Sequence, residues 1–339
     1  MGRKKDILDR LAERLARGEI SEKTFLEIKG RYEKEGFPDE EPEEPREREY
    51  VIDVAKIIRG AMAAIPPIPP IPPFPGIHAR HAGHASVHVT TGDYRGDEYR
   101  VTGVGSVDGD LSARTVDVVG VCRVAGDCVT DVYQGAGTCK VEGNLSAKDC
   151  VSTGILKVEG DITADRLTNS GMGKVEGNAH ARGEFTNSGV LKVAGDALGQ
   201  KITNSGTFKV AGDVRTETDL VHSGYLKVGG DVLAKSFRSS GVFAVGGEIQ
   251  AGSIVIELSE ESRADALEGG DIRVTAKGRG LLECDEVKGR MVYLEATLCD
   301  RVEGDDVEIG PRCRVQKVTA KRLKVHESSQ VSEREVTGG

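Results

Sequence analysis

The sequence predicts an all-β fold, a single-stranded parallel β-helix of roughly triangular section with about 17 residues per coil, preceded by short N-terminal helices and a proline-rich linker. Three observations carry this. A Val-x-Gly phrase recurs with its glycine at 109, 126, 143, 160, 177, 195, 212, 230 and 247, each step 17 or 18 residues. Within each unit apolar and polar residues alternate, so that Leu191 and Val193 share one face and Lys192 takes the other. From Ile77 to Gly310 there is no proline, which suits a region where nearly every backbone N–H serves a neighbouring strand.

Taken in order, residues 1–36 read as a helical hairpin. Ile7, Leu8, Leu11 and Leu15 fall on one helical face, Gly18 stops the first helix, and Ser21 caps a second whose apolar face is Phe25, Ile28 and Tyr32. Residues 37–49 are an acidic, proline-containing linker. Residues 50–65 form an amphipathic helix. Its apolar residues Val51, Ile52, Ile58 and Met62, with Lys56 and Arg59 beside them, suit contact with a membrane surface, capping of the solenoid or pairing with another chain. Residues 66–85 are a stiff spacer that holds seven of the eleven prolines, over 66–75, and then histidines 78, 81 and 84, with His88 just beyond it.

The regular β-helix is expected over residues 86–251. Each unit reads as three short strands separated by Gly/Asn/Asp corners, with glycine there because positive φ costs it nothing and Asp or Asn because their side chains bond local backbone. Stacked, the units make inward columns: Val107, Val124, Val141 and onward to Val245; Leu111, Cys128, Leu145 to Ile249; Val116, Tyr133, Cys150 to Phe237. A lone unit cannot bury its apolar face, and a stack makes one core. Residues 252–281 break the period and read as an irregular insertion. Val287, Val302 and Val318 then mark further coils over 282–331, and 332–339 is a tail.

Two resemblances follow from these residues. Leu11, Gly18, Ile20, Ser21 and Phe25 resemble the SHOCT motif, a short helical hairpin, which implies oligomerisation or localisation. The Val-centred, Gly-Asp-punctuated coils resemble those of bactofilins, polymer-forming bacterial cytoskeletal proteins. That resemblance implies a right-handed β-helix, end-to-end assembly into non-polar filaments without bound nucleotide, and association with the membrane or envelope partners.

A net charge of −9 argues against a nucleic-acid partner. No secretory signal or transmembrane run is read, so the expected location is cytoplasmic, peripheral at the inner face of the membrane. No phosphate-binding loop and no catalytic triad are readable, so neither cofactor nor catalysis is expected. The seven cysteines read as buried small hydrophobes rather than metal ligands. Because solenoid tips are open sheet edges, the first coils (Val101, Val104, Val107, Leu111, Val116) and the last (Val315, Val318, Leu323, Val325) are the expected polymer interface. An outward basic column runs from Arg123 to Lys227. Glu142, Glu159 and Glu176 accompany its first half, while Lys192, Lys209 and Lys227 have only small neighbours; the column reads first as a solvated ladder that keeps this flank soluble, and those three lysines as a candidate strip for an anionic partner. The competing reading of a triangular β-helix is a hexapeptide-type acyltransferase, for which His180 and His222 are the available histidines; a surface adhesin is a third.

Overall fold

The computed structural model describes residues 87–337, so the elements expected over 1–85 lie outside the described residues. The described residues hold 27 strands in one sheet, paired in parallel, wound into a solenoid of about 15 turns and about 17 residues per coil. No helix interrupts them.

Each regular coil has two strands, a short one of four residues and a long one of eight, as in Thr138–Val141 and Leu145–Ser152. Where three strands per unit were expected, two of them are one bent strand. In the long strand Leu145 and Ala147 point inward, then Lys148 and Asp149 both face outward or half outward, and Cys150 and Ser152 point inward again. The missed beat turns the chain without breaking the ladder, so each coil still presents three short inward faces.

The expected columns are in register. Val107 pairs with Val124, Val124 with Val141 and Val141 with Val158, one coil apart each time. The second column runs Leu111, Cys128, Leu145, Ile162, and the third Val116, Tyr133, Cys150, Leu167. These side chains are essentially inaccessible to water and join one continuous core. Each buried Val, Leu or Phe contributes about 1.5–3 kcal/mol. The largest are Tyr99, Tyr133, Phe185, Phe208, Phe237 and Phe243, with the Phe185 and Phe208 rings 5.3 Å apart on adjacent coils.

The periodic glycines have a different cause from the one expected. Among the described glycines only Gly92 and Gly278 have left-handed φ. The others are glycine because coils touch there: a Cβ on Gly137 would lie 1.9 Å from the carbonyl oxygen of Gly120, and one on Gly154 2.0 Å from that of Gly137. The Asp/Asn residues likewise look beyond their own turn. Asp110 Oδ1 accepts the Asp127 N–H at 2.9 Å, and Asp127 Oδ1 accepts the Asn144 N–H at 2.7 Å. The series continues through Asp161, Asn178, Asp196, Asp213 and Asp231, so this column is a clamp between coils rather than a turn motif.

The segment expected as an insertion is solenoid. Glu248–Leu258 pairs with Ala266–Ala276, which pairs with Leu281–Leu294, and the column continues Ile249, Leu267, Val287, Val302, Val318. The surplus residues form only a surface turn over 277–280, where Gly278 has φ +63°. The expected tail is also strand: Gln330–Val336 pairs with Arg314–Val325.

Candidate functional site

Three arrangements distinguish this solenoid from a bare scaffold: its tips, one outward face, and a polar ladder inside the core.

At the N-terminal tip, Val87–Thr90 and Tyr94–Val101 form the first coil, so the expected interface residues Val101, Val107, Leu111 and Val116 are buried beneath or within it. Val104 is on the outer face instead, half exposed. The tip carries an aromatic cluster in their place, with Tyr94 and Tyr99 rings 4.8 Å apart edge to face and His88 against Tyr99 at 5.8 Å. At the C-terminal tip Val315 and Val318 are covered by Gln330–Val336. That last strand faces only part of its predecessor. Leu323 and Val325 have no partner on the far side among the described residues and stay only partly buried, beside an exposed Val336. Two of the expected C-terminal positions thus sit at the tip. The last coil also puts Arg334 in the column that Val318 occupies, a charge on an otherwise apolar row.

The outward face is built by the four-residue strands, whose third residue forms the basic column. Arg123, Lys140, Lys157, Lys174, Lys192, Lys209 and Lys227 stack in register. In the first half acids answer them: Lys140 reaches Glu142 at 2.7 Å and Glu159 at 3.1 Å, and Lys174 reaches Glu176 at 2.6 Å. Hydrogen bonds from Lys140 and Arg123 hold the Glu142 carboxyl below its ordinary pKa. Lys192, Lys209 and Lys227 are exposed, and no described carboxylate lies within ion-pair distance of them. Lys209 instead sits 5.7 Å from the centre of the Tyr225 ring.

The ladder inside the core was not foreseen. The Asn of each Asn-Ser-Gly corner points inward: Asn169, Asn187, Asn204 and then His222 occupy one column, all buried. Asn169 Nδ2 donates to Asn187 Oδ1 at 2.7 Å, Asn187 Nδ2 to Asn204 Oδ1 at 2.8 Å, and Asn204 Nδ2 meets His222 Nδ1 at 3.1 Å. Each Nδ2 also reaches a main-chain carbonyl on the next coil, Val190, Thr207 and Tyr225 in turn, and His222 Nε2 repeats that contact with Val242 at 2.9 Å. With Nδ1 accepting, Nε2 carries the proton, so the ring is neutral; burial pushes its pKa down. The recurrence of Asn at one position every 17 or 18 residues was the available signal.

Of the two histidines available to an acyltransferase, His222 is thus locked in the core. His180 is on the outer side of Ala179–Asn187, half-buried, with its pKa lowered by that burial. All seven cysteines are buried free thiols, and burial raises Cys150 to about 12 and Cys313 to about 11. An open cleft of about 260 Å³ is lined by residues including Cys284, Cys299, Arg263 and Arg314. The membrane candidates Val51, Ile52, Ile58 and Met62, and His78, His81 and His84, lie outside the described residues. No described helix is long and apolar enough to cross a membrane.

Compared with known proteins, the chain matches no family model, no curated protein and no solved structure.

Proposed function

We propose that the protein is a bactofilin-like scaffold that assembles through the tips of its β-helix, without nucleotide and without catalysis, at the cytoplasmic side of a membrane, where its N-terminal region recruits partners. The observation that carries this reading is the C-terminal tip, where Leu323 and Val325 stay only partly buried beside an exposed Val336, at a sheet edge that no described strand covers. Such an edge pairs with another strand unless it is blunted. Like tips meeting alternately, N to N and C to C, make an open fibre without polarity.

Two features favour this reading over an acyltransferase on the same fold. Coils of 17 residues depart from a strict six-residue beat over three faces, and His222 is committed to the core ladder. Analytical sedimentation of the purified full chain tests the proposal. Concentration-dependent assembly, identical with and without ATP or GTP, is expected; a nucleotide requirement, or a monomer at every concentration, would overturn it.

A further inference from the structure

We propose that the outward face of the four-residue strands docks the solenoid flat onto an anionic lipid surface. Two columns run side by side along it. The third strand position is the basic column. The first is largely apolar and in water: Val104, Val121, Ile155, Met172, Val190 and Tyr225 share one row, broken by Thr138 and Thr207, with Met172 54% exposed and Ile155 43%. Most of the large hydrophobic side chains exposed among the described residues lie on this face.

Charge gives the face its sign. Seven cations, Arg123 to Lys227, meet four carboxylates, Asp108, Glu142, Glu159 and Glu176, a surplus of three positive charges on a chain of net charge −9. The surplus is concentrated at Lys192, Lys209 and Lys227, where the acid position is Ala194, Ala211, Gly229 and then Gly246. Elsewhere cations are answered from the neighbouring coil, as in Lys148–Asp131 at 2.7 Å and Arg166–Asp149 at 3.0 Å. Like charges stacked at one-coil spacing repel unless an external anion neutralises them.

A soluble polyanion would neutralise the lysines and leave the apolar row in water. An anionic bilayer does both: apolar side chains enter the acyl boundary while lysines reach the headgroups. This inference does not depend on tip-to-tip assembly.

The test is flotation of the full chain with vesicles of phosphatidylcholine alone or mixed with phosphatidylglycerol, and with free polyphosphate as competitor. Three proteins are compared: the unaltered chain, the triple variant Lys192→Glu, Lys209→Glu, Lys227→Glu, and the double variant Ile155→Ser, Met172→Ser, which keeps the charge. All five side chains point outward, so circular dichroism is expected to be unchanged. The unaltered chain is expected to float only with phosphatidylglycerol present and less at high salt. The triple variant is expected to bind at least about tenfold more weakly, and the double variant to be weakened as well. Vesicle binding equal in all three proteins would place the contact elsewhere in the chain and overturn the proposal. So would no flotation of the unaltered chain, or binding to polyphosphate alone.

Discussion

The Asn169–Asn187–Asn204–His222 column shows how one residue can fix the chemistry of a core. Asn187 and Asn204 each give an N–H to the next coil and accept one from the coil before, while the Oδ1 of the first rung, Asn169, is buried without a partner, so removing the middle rung Asn187 strands two further buried groups. Asn187→Ala is predicted to destabilise the fold by about 2–4 kcal/mol in denaturant unfolding. The terminal His222 adds a pH dependence. Burial lowers its pKa, so between the ordinary histidine value of 6.5 and the lower folded value the unfolded chain binds more protons. Its stabilising contribution is therefore complete above about pH 6.5 and is lost as pH falls through that window. Since Asn in this column makes the same two contacts, His222→Asn is predicted to leave the melting temperature at about pH 7.5 nearly unchanged and to flatten its fall toward about pH 5.5. Two other groups act in the same window: His180, lowered by burial, adds a slope of the same sign, and Glu248, raised to about 7 by burial and by Glu268, adds one of the opposite sign. The inward Val and Leu rows were legible because alternation alone assigns their side. The Asn ladder was not, because a polar residue beside Ser and Gly reads equally well as a turn.

Among elements, what holds one coil to the next is close backbone approach together with the Asp/Asn clamp. Gly154→Ala would set a Cβ 2.0 Å from the Gly137 carbonyl oxygen, and neither backbone can retreat without opening the coil spacing. It is predicted to cost more than about 3 kcal/mol. Gly252→Ala, with its nearest neighbour, the Lys235 carbonyl oxygen, at 3.1 Å, is predicted to cost distinctly less in the same thermal or chemical melt. The glycine period was plain in the sequence, but its cause was not, since a repeat shows where a residue recurs and not what lies above it. The same limit hid the continuity of 252–281. The column steps from Leu267 to Val287, 20 residues, because the turn at 277–280 loops out while the ladder continues.

At the scale of the whole solenoid, the described residues form one core with two unlike ends, an aromatic cluster at one and the partly buried Leu323 and Val325 at the other. Leu323→Lys with Val325→Lys is predicted to abolish assembly while leaving the β-sheet circular dichroism of the monomer intact, because both side chains are already partly in water. The register of the regular coils could be read from the repeat. The start near residue 86 could be read as well, but the last coil could not, because Gln330–Val336 lacks the Val-x-Gly signature and is defined only by its pairing. The most direct test of the central claim is electron microscopy of the purified full chain without nucleotide. About 15 coils at about 4.8 Å each predict filaments one solenoid wide, built of copies about 70 Å long joined tip to tip. Isolated particles at every concentration, or filaments whose copies lie crosswise to the axis, would contradict it.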